Sequence, residues 1–129
     1  MTDATQHFQD TMGALPDSVA LLQRTAPALF ESYAATRQRV YGPPLDRQQI
    51  ELVFVVLDVV AGHVEGAKAH AAAAIEAGLT PAAIMQALEI CILIHGHHTW
   101  AIAGAAVMQH LQSDPAQLAT ADLTNAASK

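Results

Sequence analysis

Carboxylates and imidazoles interrupt the apolar runs of this sequence at regular spacings. Glu51 and Asp58 stand in the Val-rich run "ELVFVVLDVVA", and His63 and His70 follow in an Ala-rich run. The members of each pair are seven residues apart, so each pair shares a face if its run is helical. Ionisable groups among apolar neighbours cost free energy unless they are paired, and they concentrate at functional sites. These four side chains are therefore candidates for acid–base chemistry or metal binding.

A second group of histidines lies in the stretch "IHGHHTW", residues 94–100, which holds three of the seven histidines. A solvated turn accounts for at least one of them, and we expect His97 to face the solvent. His95 and His98 are three residues apart across a glycine and are the better candidates for a site. Trp100 is more typical of a core or an interface than of a substrate platform.

The spacing of the histidines permits a metal site without requiring one. Two metal ligands on one helix are normally four residues apart. His63 and His70 are seven residues apart, which is about 10 Å along a helix axis. A break at Gly62 would relieve this separation by moving His63 off the helix. Imidazoles with a carboxylate suit Zn, Fe, Ni, Co or Cu. Spacing and ligand type alone make a divalent transition-metal site possible, with His63, His70, His95 and His98 as its candidate ligands.

Composition indicates an all-α protein. The 129 residues are 52% apolar with only 5% aromatic residues, and much of the apolar fraction is Ala, the best helix former. A net charge of −6 argues against a nucleic-acid partner. Cys91 is the only cysteine, so no intrachain disulfide can form. The chain starts without a signal-peptide pattern, and no apolar run is long enough for a bilayer. We expect a cytoplasmic protein without membrane contacts.

Start and stop signals predict one helical domain of about five to six helices over residues 16–113. Residues 1–15 are predicted to be a loose arm, and residues 114–129 a polar tail. Asp46 is the predicted N-cap of the Val-rich helix, which we expect to be central and buried. Thr80 followed by a proline is the predicted start of the helix that leads to "IHGHHTW".

From about residue 26 to 111 the chain resembles the superfamily of carboxymuconolactone decarboxylases and AhpD-like alkylhydroperoxidases. The resemblance rests on "APALFESYAATRQRVYGPPLDRQQIELV" and "AGHVEGAKAHAAAAIEAGLTPAAIMQAL". In the peroxidase branch a Glu precedes a Cys-x-x-Cys motif and a His follows it. Glu51 and His70 stand at the Glu and His positions, whereas His63 and Gly66 replace the two cysteines.

The resemblance implies an AhpD-like helical fold, a homo-oligomer that is a trimer or a hexamer, and a small-molecule substrate. It also implies that Glu51 and His70 line the pocket, with Glu51 orienting His70 as general acid or base. A buried structural hydrogen bond is the alternative for this pair. Without the two thiols, peroxide reduction by the family mechanism is excluded. Asp58 is left open between support of the site and an interface salt bridge.

The resemblance, taken together with these residues, implies three candidate functions. The leading hypothesis is a metal-dependent lyase, such as a decarboxylase, or an oxygenase, acting on a small oxygenated acid of aromatic or lactone origin. Its rival is a metal-free lyase that uses Glu51 and His70 for acid–base catalysis. The third is a non-catalytic module that binds a metal or a small ligand.

Overall fold

The computed structural model describes residues 3–113, and these residues form helices and turns without a strand. Seven α-helices and one π-helical segment follow in chain order: α1 Asp3–Met12, α2 Asp17–Thr25, α3 Pro27–Val40, α4 Arg47–Ala61, α5 Val64–Glu76, α6 Pro81–His95, the π-helix Trp100–Gly104, and α7 Ala105–Ser113. The all-α prediction is confirmed. The predicted tail, residues 114–129, lies outside the described residues.

The prediction of a loose arm over residues 1–15 is wrong, because Asp3–Met12 form helix α1. Ala4, Phe8 and Thr11 recur at helical spacing and are buried. The Phe8 ring stacks on Phe30 of α3 with the ring centroids 6.3 Å apart. A short polar segment with one well-placed aromatic residue can therefore dock, although its composition suggests an arm.

The chain divides after Ile50 into two compact units, and the division falls within α4. The first unit has a small core of Ala4, Phe8, Phe30 and Ala34. In the second unit, α5 packs against α7 and the π-helix, and α6 packs against the same two elements. The core of this unit combines three alanines of α5 with larger aliphatic residues, including Val55, Val59, Ile84, Leu88 and Val107.

Local signals explain where α4 and α6 begin and where α4 ends. The predicted caps are confirmed: the Asp46 carboxylate accepts a hydrogen bond from the backbone N–H of Gln49 at 2.8 Å, and Thr80 Oγ1 accepts one from Ala83 at 3.1 Å. The end of α4 needs Gly62, which has a φ of 75°. The next backbone N–H, that of His63, donates to the Asp58 carbonyl at 2.8 Å.

The Val-rich helix α4, predicted to be central and buried, is buried on one face and exposed on the other. Val55 and Val59 are inaccessible to solvent, whereas Val53 and Leu57 are 49% and 62% exposed. No helix among residues 3–113 is long and apolar enough to cross a membrane.

Candidate active site

A buried carboxylate–imidazole pair joins α4 to α5. Glu51 Oε2 lies 2.8 Å from His70 Nδ1, and the two side chains are 0% and 6% exposed. An ionised carboxylate can only accept hydrogen bonds, so it holds the proton of the imidazole on Nδ1. The lone pair of the neutral ring is then on Nε2. This is the arrangement by which a carboxylate orients a histidine for proton transfer.

The second nitrogen of His70 is left for other partners. Among residues 3–113 the only side-chain hydrogen bond of His70 is the one that Nδ1 makes to Glu51, so Nε2 has no hydrogen-bond partner among these residues. A small molecule that reaches this edge of the ring can exchange a proton with it.

Phe54 completes the environment of the imidazole. Its ring lies parallel to that of His70, with the centroids 4.4 Å apart and an interplanar angle of 8°. Phe54 follows Glu51 by three residues on α4, so both side chains reach α5 from the same side of the helix. The sequence analysis missed Phe54, and its spacing from Glu51 was the signal that could have found it.

A second carboxylate–imidazole pair lies where α4 turns into α5. His63 Nδ1 is 3.5 Å from Asp58 Oδ1, and the side chains are 69% and 22% exposed. Asp58 lies seven residues after Glu51, and His63 lies seven before His70, so both pairs belong to the same antiparallel helix pair. An exposed ion pair of this kind contributes little free energy. It does not share the buried setting of Glu51 and His70.

The remaining histidines do not converge on His70. His95, His97 and His98 are all exposed, so the expectation that His97 faces the solvent is confirmed. His95 is the last residue of α6, and Gly96 ends that helix with a φ of 94°. Thr99 is buried, and its hydroxyl donates to the Gly96 carbonyl at 2.9 Å. The stretch "IHGHHTW" is thus a helix end with solvated imidazoles.

The predicted metal centre is not assembled within one chain. Residues 3–113 include all four predicted ligands, His63, His70, His95 and His98, yet contain no group of three or more His, Cys, Asp or Glu side chains placed to hold a metal ion. The physical reason is orientation, because His70 points into the helix pair while the other three point into solvent. Trp100 packs against the aliphatic core of the second unit, as its more typical role predicted.

Comparisons with known proteins agree with the all-α fold. The sequence model of the carboxymuconolactone decarboxylase family matches residues 27–109, well over half of the chain. The chain belongs to this family. A similar solved structure is that of a protein provisionally named a carboxymuconolactone decarboxylase, from Burkholderia xenovorans LB400. It is 26% identical, its TM-score is 0.77, and the match covers 83% of this chain and 84% of that one. A search of curated proteins found no match.

This carboxymuconolactone decarboxylase family member has a single cysteine, Cys91. Cys91 is buried in the core of the second unit, and this burial raises the pKa of its thiol. A thiol kept protonated is a poor nucleophile. The two positions that hold cysteines in the peroxidase branch are occupied here by the exposed His63 and by Gly66, which lies close to the Asp58 carboxylate. A Cβ on Gly66 would be 2.7 Å from Asp58 Oδ2.

Proposed function

We propose that this chain is a metal-free lyase of the carboxymuconolactone decarboxylase type, in which His70 transfers a proton and Glu51 orients it. The observation that carries the proposal is the 2.8 Å contact between two buried ionisable groups, which leaves the other imidazole nitrogen without a hydrogen bond to residues 3–113. Family membership supplies the reaction class. The proposed substrate is a small oxygenated acid of lactone or aromatic origin.

The chain's own groups suffice for a decarboxylation that needs one proton. The substrate carboxylate leaves as carbon dioxide, and the electron pair of the broken C–C bond is delocalised into a neighbouring carbonyl. The imidazole takes a proton from solvent at Nε2 and delivers it to the carbon, while the Nδ1 proton stays in the hydrogen bond to Glu51. After the transfer the ring is again neutral, with its lone pair on Nε2. Acid–base assistance of this kind accelerates reactions by about 10²–10⁴-fold.

The predicted metal ligands do not lie together with the Glu51–His70 pair. Nδ1 of His70 already makes its hydrogen bond to Glu51, and the three other predicted ligands are exposed. The proposed reaction therefore uses the pair without a metal. Metal analysis of untagged protein is the direct measurement, and less than about a tenth of an equivalent per chain supports the metal-free lyase.

The activity test uses carboxymuconolactone as the probe and carbon dioxide release as the signal. His70→Ala is expected to lower kcat/KM by at least about 100-fold, because the proton carrier is lost. His97→Ala is the matched control, since it removes an exposed imidazole, and we expect wild-type turnover. Equal losses in both variants, or full activity of His70→Ala, would contradict the assignment.

We also propose a homo-oligomer, for which the resemblance implies a trimer or a hexamer. Large aliphatic side chains of α4 and α6 are exposed, and they are Val53, Leu57, Ile90, Leu93 and Ile94, with Leu93 81% exposed. Contiguous exposed apolar surface is typical of a protein interface. Light scattering should therefore give a mass above 13.6 kDa. Leu93→Asp should shift it towards the monomer, and a monomeric wild type would refute the oligomer.

A further inference from the structure

Glu51 by itself does not determine where Nε2 of His70 points. A single hydrogen bond holds one atom of the ring, and the imidazole can still tilt about the line from Nδ1 to the carboxylate. Proton transfer requires that Nε2 and the reacting carbon approach within hydrogen-bond reach and in line. A second contact must restrict the tilt if the pair is to act on a bound molecule.

Phe54 makes that second contact. Because the two rings are 8° from parallel and their centroids are 4.4 Å apart, the phenyl ring stacks on one face of the imidazole. A tilt in either direction would drive one edge of the ring into the phenyl face or separate the pair. Phe54 is itself half-buried on a helix whose neighbouring positions Val55 and Glu51 are fully buried, so its backbone is firmly held.

We propose that Phe54 is a positioning residue, which fixes the plane of the His70 imidazole and thereby the direction of Nε2. This inference rests on the proposed function, and it adds that a flat ring at position 54 is required for efficient proton transfer. The alternative is that Phe54 only fills space between α4 and α5. The two roles differ in what a leucine can replace, because leucine fills much of the volume but offers no flat surface.

The experiment compares Phe54→Leu, Phe54→Tyr and the wild type by two independent measurements. The first is the ¹H–¹⁵N spectrum of the imidazole nitrogens, assigned by comparison with His70→Gln. We expect one tautomer with the proton on Nδ1 in the wild type and in Phe54→Tyr. In Phe54→Leu we expect exchange-broadened imidazole signals, because the ring tilts while Glu51 still holds its proton on Nδ1. This measurement needs no substrate.

The second measurement is carbon dioxide release from carboxymuconolactone. In Phe54→Leu, kcat should fall about 10- to 100-fold, since a displaced catalytic group loses rate steeply. KM should stay within about twofold, because substrate binding is not what the ring provides. Phe54→Tyr should keep a kcat within about threefold of the wild type, as its ring offers the same flat face.

Phe30→Leu is the matched control, because it makes the same chemical change at a buried ring that stacks on Phe8 and not on an imidazole. It should lower thermal stability while the His70 spectrum and kcat stay at wild-type values. Phe54→Leu with wild-type spectrum and kcat would overturn the proposal, as would a Phe54→Tyr variant impaired to the same degree. A wild type that does not turn over the probe would refute the proposed function, while the spectra would still decide the role of Phe54.

Discussion

Replacing Glu51 by leucine tests whether the buried pair is a functional or a structural feature. In Glu51→Leu the imidazole of His70 stays between α4 and α5, but its Nδ1 has lost its acceptor. Breaking a buried ion pair costs about 3–5 kcal/mol, and leaving a neutral buried polar group unpaired costs about 1–3 kcal/mol. The imidazole can remain neutral, so we expect the free energy of unfolding to fall by about 3 kcal/mol, at the boundary of these two ranges.

This loss should appear as a clear shift of the melting temperature. An unfolding entropy of about 2.1 cal/mol/K per residue gives about 0.27 kcal/mol/K for a chain of 129 residues. A loss of about 3 kcal/mol therefore lowers Tm by about 11 °C. His70→Leu should cost a similar amount, because it leaves the Glu51 carboxyl group buried without the imidazole.

The double variant Glu51→Leu/His70→Leu separates stability from activity. Both members of the pair are then apolar, and such replacements are often neutral or stabilising. We expect its free energy of unfolding to lie within about 1.5 kcal/mol of the wild-type value. The loss in the double variant is then well below the sum of the losses in the two single variants. Carbon dioxide release from carboxymuconolactone should be lost in all three variants.

Calorimetry or urea unfolding provides the stability data for this cycle. Additive losses in the double variant would show that the two side chains do not interact as the 2.8 Å contact implies. A Glu51→Leu variant with wild-type Tm would refute the burial argument itself. Full turnover in a double variant of wild-type stability would mean that the pair is a structural hydrogen bond, which is the alternative left open by the sequence.

Three further outcomes follow from other contacts. Gly66→Ala should destabilise the protein by about 1–3 kcal/mol in a denaturant titration, because the new Cβ meets the Asp58 carboxylate at 2.7 Å. In the Asp58→Ala background the same change should stabilise by about 0.5–1 kcal/mol, since alanine is the better helix former, and destabilisation in both backgrounds would contradict this reasoning. Burial, and next the charge of Arg37, hold the pKa of His7 below its usual 6.5, so protonation of this imidazole favours the unfolded chain. Tm should therefore fall as the pH drops from about 7 towards the lowered pKa. His7→Phe should make Tm depend less on pH over this range. Burial raises the pKa of Cys91, so iodoacetamide at pH 7.5 should label it in the folded protein at least about 100-fold more slowly than in urea, and rapid labelling would refute its burial.

Local sequence signals determined where α4 and α6 begin and where α4 ends. Asp46 and Thr80 cap helices because their side-chain oxygens reach N–H groups three residues on, an interaction that needs no distant partner. Gly62 ends α4 because its backbone adopts a positive φ. The family resemblance, not spacing, singled out Glu51 and His70. The role of α1 was missed because its stability comes from packing of Phe8 in a core that the local sequence does not show.

The tertiary structure alone decided which of the candidate side chains meet. Successive residues of a helix are rotated by about 100°, so the direction of each side chain depends on how the helices rotate against one another. His70 and His63 are both on or beside α5, yet one is buried against Glu51 and the other is 69% exposed. His95 and His98 satisfied a plausible ligand spacing but belong to a solvated helix end. In the sequence, Phe54 is one of several apolar residues of α4. The structure shows that its ring stacks on the His70 imidazole.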